Sequence, residues 1–190
     1  MALEVSANEM RRVISHDATA RFIYESSMRD VERIQKQIKG IEKKMHEIIM
    51  TSQLKENYLL ITSIKGVGML TAIILIVHTN NFSGFENARQ LACYCGCAPY
   101  PNESGKIDKG SHICHLANKE LKVLLSLCAT SVMQYNKELA NYAQRKIDAG
   151  KSKRLVINNV RNKLIQLIFA VVTTKTPYRE DYLNPIAICA

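Results

Sequence analysis

Tryptophan is absent from the 190 residues and phenylalanine occurs only four times. The core must therefore be built from Ile, Leu, Val, Ala and Met. Four prolines and eight glycines are too few for a collagen-like or linker-dominated chain, and they disfavour an all-β fold, which needs many turns. Long apolar runs are also missing. The longest, Val67 to Val77, contains Gly68 and Thr71 and is too short to span a bilayer. A second, Leu155 to Val172, is interrupted by Arg161 and Lys163, so no membrane partner is expected. The opening MALEVSANEM has acids and no apolar core, unlike a signal peptide. The six cysteines are accordingly expected as reduced thiols in a cytoplasm. Acidic residues are scarce after position 57: eight, scattered, with no D-x-D or cluster that suggests a two-metal nuclease centre.

What is present is basic charge. Hydrophobic residues make up 47% and charged residues 23%, an ordinary globular balance that argues against disorder. The net charge of +9 suits a polyanionic partner. It is uneven: residues 1–57 hold ten basic and nine acidic side chains, whereas residues 58–190 hold sixteen and eight, a net of +8.

The first part has helical period. Val31, Ile34, Ile38, Ile41, Met45 and Ile48 alternate in steps of three and four, a heptad seam between charged positions. It reads as a coiled coil pairing two protomers; one arm of an intramolecular hairpin is the plainer alternative. Past Asn57 the pattern changes to shorter helices with definite stops. These are expected over Tyr58 to Ser63, Met69 to His78, about Glu86 to Cys95 with Gly96 as a left-handed cap, from Leu116 through Tyr135, about Lys137 to Ala149, and from Ser152 to about Thr174. Residues 97–112 carry two prolines and two glycines with no apolar period, and a loop that long is usually functional or disordered. The fold expected is all-α: a long coiled-coil helix over 1–57, a compact helical domain over 58–178, and a tail over 179–190.

The stretch Ile61 to Ala72, with Lys65-Gly66-Val67-Gly68 at its centre, looks like a helix-hairpin-helix. Two glycines permit a tight turn and close approach to a phosphate, the next helix aims its first amides at the anion, and Lys65 adds a cation. The plainer alternative is a glycine-containing turn between core helices. Cys93, Cys95 and Cys97 alternate, and Cys114 sits between His112 and His115, but these are not the spacings of a zinc site; no metal ligand is assigned.

At these residues the chain resembles a known family. Ile64 to Gly68, Phe82 to Phe85, Ala88 to Gly96, Ala98-Pro99 and Ser104-Gly105-Lys106 follow one another in order. Asn118-Lys119 with Leu121, and Lys151-Ser152-Lys153, continue the match over roughly 58–178. The set resembles the C-terminal domain of insertion-sequence transposases that pair a DEDD catalytic domain with a recombining serine, the bridge-RNA-guided recombinases. The resemblance implies that Ser104 is the nucleophile forming a transient link to DNA. With it go DNA and guide RNA as partners, a bacterial cytoplasm or nucleoid, and a divalent metal (magnesium) held by an N-terminal acidic domain that this chain lacks. Nucleic-acid contacts are expected at Lys65, Gly66, Gly68, Lys106, Lys109, Lys119, Lys151, Lys153 and Arg154. The family's usual Lys-Arg-Gly-Asn after the loop is here His115-Leu116-Ala117-Asn118. A DNA-binding dimer of helix-hairpin-helix type without catalysis, and a purely structural adaptor, are the other classes weighed.

Overall fold

In the computed structural model, residues 18–98, 103–104, 107–108 and 117–180 are described, the two short pairs by backbone alone. The described elements are seven helices and one two-residue β-ladder, so the all-α expectation holds. The chain divides into two units, residues 1–48 and 49–190.

The described residues of the first unit belong to helix α1 (Ala18–Thr51), which displays the heptad seam to solvent. Val31, Ile34, Ile38, Ile41 and Ile48 are between 45% and 60% exposed. The exposed apolar stripe also takes in Tyr24 and Met28, so it starts earlier than the seam the spacing marks. Arg21–Glu25 and Asp30–Arg33 pair one turn apart on the charged surface, as opposite charges at that spacing do.

The second unit is built round its last helix. α2 (Lys55–Thr62) and α3 (Met69–His78) are joined by the glycine turn; α4 (Ala88–Tyr94), α5 (Lys119–Tyr135), α6 (Lys137–Asp148) and α7 (Lys153–Thr174) follow. α7 packs against α2, α4, α5 and α6, and α3 lies against α2 and α5. By length and composition alone α7 is apolar enough to cross a membrane. Its apolar residues instead form the core: Val156, Val160, Leu164, Ile165 and Ile168 are buried with Leu91, Leu121 and Leu125.

Most helix starts have a local cause. Asn87, Asn118, Asn136 and Ser152 each accept a bond from the backbone N–H three residues on, at 2.9–3.4 Å, which satisfies one orphan amide of the first turn. Asn87 thereby moves the start of α4 to Ala88 from the expected Glu86. α2 begins at Lys55, three residues before the expected Tyr58, because Ser52 and Leu54 already turn the chain. Gly96 and Gly150 take the expected left-handed conformation after α4 and α6, with φ of 63° and 77°. The expected start of α5 at Leu116 lies outside the described residues; Asn118 caps the helix that follows.

Within the region expected to be wholly irregular, β1 (Glu103–Ser104) pairs antiparallel with β2 (Ile107–Asp108), Ser104 opposite Ile107. Gly105 and Lys106 are the two residues between them, and a glycine in first place is the composition that two-residue hairpin turns favour.

Gly66 is held by packing. Its φ is +93°, and a Cβ there would lie 2.7 Å from Val132 Cα in α5, while Cys128 Sγ donates to its carbonyl oxygen at 3.8 Å. Gly66→Ala is expected to destabilise the domain by about 2–5 kcal/mol, from overpacking and the left-handed backbone together. The midpoint of a denaturant titration measures it.

Candidate functional site

The region that carries Ser104 is tied at both ends to one helix. On departure, the amides of Cys97 and Ala98 donate to Ala92 O at 2.8 and 3.2 Å; on return, Asn118 N donates to Tyr94 O at 2.9 Å. Ala92 and Tyr94 both belong to α4. Asn118 is fixed further by a contact of its Nδ2 with His78 Nδ1 at 3.1 Å. On the other side, Asn162 of α7 donates to Cys97 O at 3.0 Å. The chain thus leaves at Ala98 and returns at Asn118, both anchored on α4. The side chain of Ser104, and Lys106, Lys109, His112 and His115, lie outside the described residues.

Basic residues flank these anchors. Lys119 opens α5, and Lys122 stands one turn further on, half-buried. Arg161 of α7 reaches across to α5, its Nη1 donating to Ser126 Oγ at 2.8 Å and Lys122 O at 3.4 Å, and its Nη2 to Asn158 Oδ1. A second basic group lies at the turn from α6 into α7. Lys151, Lys153 and Arg154 are exposed there, next in sequence to Arg145 and Lys146 in the last turn of α6. Cations at the start of a helix oppose its dipole, so Lys153 and Arg154 do not serve the stability of α7. They remain free to meet an anion.

The glycine hairpin divides its expected contacts. Gly66 is packed against α5, as above. Gly68 is exposed, has open space before it, and precedes the first turn of α3, whose N-terminal end carries no side-chain cap. Lys65 is exposed but already bonded: its Nζ donates to Glu180 Oε2 at 2.7 Å. The Lys65 ammonium, with help from the backbone of Lys137, holds the Glu180 carboxyl below the usual carboxylate range. The segment leading to Glu180 is fastened too. Lys175 Nζ donates to Asn57 Oδ1 at 2.6 Å, and Tyr178 N to Ser63 Oγ at 2.8 Å.

The four described cysteines are buried packing residues in this arrangement. Burial pushes the Cys95 thiol up to about 12 and the Cys128 thiol to about 11. Burial also raises Cys97, against the opposing pull of Arg161 and Lys122. Among the described residues no three His, Cys, Asp or Glu side chains come together to hold a metal ion. These described residues do not fit the divalent metal that the resemblance implies.

Arg161, Lys122, Asn158 and Asn162 had no sequence signal as site residues, Arg161 reading only as a break in an apolar run. The one available hint is their spacing: 158, 161 and 162 share a helical face.

Residues 58–144 match the family model described as Transposase IS116/IS110/IS902 family. An uncharacterized 43.6 kDa protein of insertion element IS110 from Streptomyces coelicolor is 25% identical over 171 residues, 90% of this chain and 42% of that protein. The pilin gene-inverting protein of Moraxella bovis is 30% identical over 131 residues, 67% of this chain and 40% of its own length. An insertion element IS116 protein of Streptomyces clavuligerus is 22% identical over 142 residues, 75% of this chain and 35% of that protein. The chain thus spans about two fifths of the length of the curated relatives it matches.

Proposed function

We propose that this chain is the DNA-binding, serine-bearing part of an insertion-sequence transposase, acting in strand exchange with Ser104 as the nucleophile. The observation that carries the reading is the anchoring of residues 99–117. The chain on either side of the Ser-Gly-Lys segment is pinned to α4, and the first turn of α5 just after it carries Lys119, Glu120 and Lys122. In this reading the serine attacks a phosphodiester of DNA that basic side chains hold by its backbone, without sequence preference. The transposase domain over 58–144 supports this, and so does a relative named for inverting a pilin gene, since inversion is also strand exchange.

In this reading DNA is held by Lys65, which exchanges Glu180 for a phosphate, by Gly68 and the first amides of α3, by Lys119, and by Lys151, Lys153 and Arg154, with Lys106 and Lys109 close to Ser104 in sequence. Guide RNA is a further polyanion for the same surface. The magnesium-binding acids belong to a separate domain. Two copies join through the seam of α1.

Duplex binding tests the reading. The chain is expected to bind duplex DNA at low salt with little sequence preference, the affinity falling with salt at a log–log slope of about −0.9 per neutralised phosphate. Lys65→Glu should weaken binding to all sequences alike. Glu180→Gln should strengthen it, because the ammonium of Lys65 loses its carboxylate. A salt-independent affinity, or none at low salt, defeats the proposal; fluorescence anisotropy across a salt series measures both.

A further inference from the structure

Past α7 the chain returns to the glycine hairpin. The backbone takes the left-handed region at Lys175, with φ of 53°, and residues 175–180 form a strap whose fastenings are polar. Lys175 Nζ donates to Asn57 Oδ1 at 2.6 Å and pairs with Glu56 Oε2 at 3.2 Å. Tyr178 N donates to Ser63 Oγ at 2.8 Å, and the Tyr178 hydroxyl donates to Glu138 Oε2 at 3.1 Å. Glu180 Oε2 accepts from Lys65 Nζ at 2.7 Å. Lys175, Thr176, Pro177 and Arg179 are exposed, and no residue of the strap is buried. The strap thus adds little to the core.

The place where Glu180 sits has the donors of an anion seat. Lys65 comes to it from the hairpin. The start of α6 supplies the rest, with Asn136 as its cap and Lys137 as its first residue. The hydrogen bond from Lys65 holds the Glu180 carboxyl below the usual carboxylate range; burial opposes this, and the Lys65 charge, the Lys137 backbone and the Lys137 charge reinforce it. Ammonium groups beside the first amides of a helix are what binds a phosphate elsewhere. Two groups here are buried without a hydrogen-bond partner, Asn136 Nδ2 and Glu180 Oε1, and Asn136 is wholly buried. Such orphans are rare in native proteins. The carboxylate meets the charge of the seat without satisfying all its polar groups.

The contact is also within reach. The Lys65 side chain is 61% exposed and that of Glu180 19%. An ion pair at the surface contributes little in water, so an incoming polyanion meets a contact that breaks easily.

We infer that residues 175–180 are a displaceable strap. Its Glu180 stands in for a nucleic-acid phosphate in a seat made by Lys65, Lys137 and the first turn of α6, and duplex DNA takes its place. That the phosphate belongs to DNA rests on the proposed DNA binding; the seat and its strap rest on the contacts above. In the unbound chain the strap withholds Lys65 from weakly held anions. A duplex already bound at Gly68 and α3 presents its phosphates to the seat at high effective concentration. The carboxylate is then released to water, and the strap lifts from Ser63.

The test uses the full chain, a DNA duplex, and inorganic phosphate against chloride at equal ionic strength. Glu180→Gln is expected to tighten duplex binding about threefold or more and to steepen the log–log salt slope by about 0.9, one further neutralised phosphate. In a Lys65→Gln background the same change should leave the slope as it is and the affinity within about twofold, because the carboxylate acts through Lys65. No gain from Glu180→Gln overturns the inference. A gain that persists in full without Lys65 overturns it too, since it reports only lost repulsion. Hydrogen exchange reads the strap itself. Duplex should speed exchange at the Tyr178 amide, which Ser63 Oγ holds in the unbound chain. An amide that stays protected or becomes more so marks a strap that is only structural, and overturns the displacement. If the chain binds no duplex, the DNA reading fails and phosphate decides the seat. Faster Tyr178 exchange in phosphate than in chloride upholds it; equal exchange overturns it. A response to duplex without one to free phosphate supports the inference, with the polymer as the source of the anion.

Discussion

Ser104→Ala is expected to abolish the covalent protein–DNA adduct while duplex binding stays within a few-fold of wild type. In the proposed step the serine Oγ bonds to phosphorus and the bond from phosphorus to a deoxyribose oxygen breaks. The Oγ proton passes to a base, and the departing sugar oxygen takes up a proton. Alanine offers no oxygen, so the loss is complete, whereas loss of one phosphate contact is partial. A serine hydroxyl is a poor nucleophile at neutral pH without activation. Positive side chains stabilise charge on the phosphate, but without an activated oxygen they give little turnover. The chain by itself is therefore expected to bind DNA without cutting it. Supplying an acidic domain, in cis or as a partner, with magnesium and guide RNA should restore the adduct. Denaturing electrophoresis with labelled DNA detects it and peptide mapping locates it. An adduct that survives Ser104→Ala, or maps to another residue, shows that the serine assignment is wrong.

Ile34→Lys combined with Ile41→Lys should convert an oligomer into a monomer. Five aliphatic residues of the α1 seam are now 45–60% exposed, and burying such a side chain fully contributes about 1.5–3 kcal/mol. An isolated seam of this length is marginal in water, so the wild type is expected as a dimer or larger assembly with help from the second unit. The double variant removes four aliphatic contacts from a dimer and sets like charges along the seam. At about 1.4 kcal/mol per tenfold, the dissociation constant should rise by more than a hundredfold. Light scattering over a concentration series reads the change. A wild-type chain that is monomeric at high micromolar concentration removes the premise.

The fold was largely legible in the sequence because its signals are local. The three-and-four spacing of Val31 to Ile48 specifies one face of a helix whatever surrounds it. A glycine past the last apolar position, as at Gly96 and Gly150, marks a left-handed stop because only that residue takes the conformation without cost. Ser152 announces α7 by the same local chemistry, a hydroxyl three residues before an amide that has no partner in the helix. The order of motifs from Ile64 to Lys106 was enough to point to the transposase family, whose domain matches residues 58–144.

The tertiary structure alone decided which charges are free and which glycine is packed. Lys65 meets Glu180 from 115 residues away, and Arg161 meets Ser126 from 35. Gly66 turns against Val132 rather than outward, while Gly68, two residues on, stays open. No periodicity encodes such pairings, because they depend on how helices cross rather than on where each begins. Arg161 shows the limit most clearly: in sequence it is a flaw in an apolar helix. Only the approach of α5 turns it into a buried guanidinium bonded to Lys122 O and Ser126 Oγ.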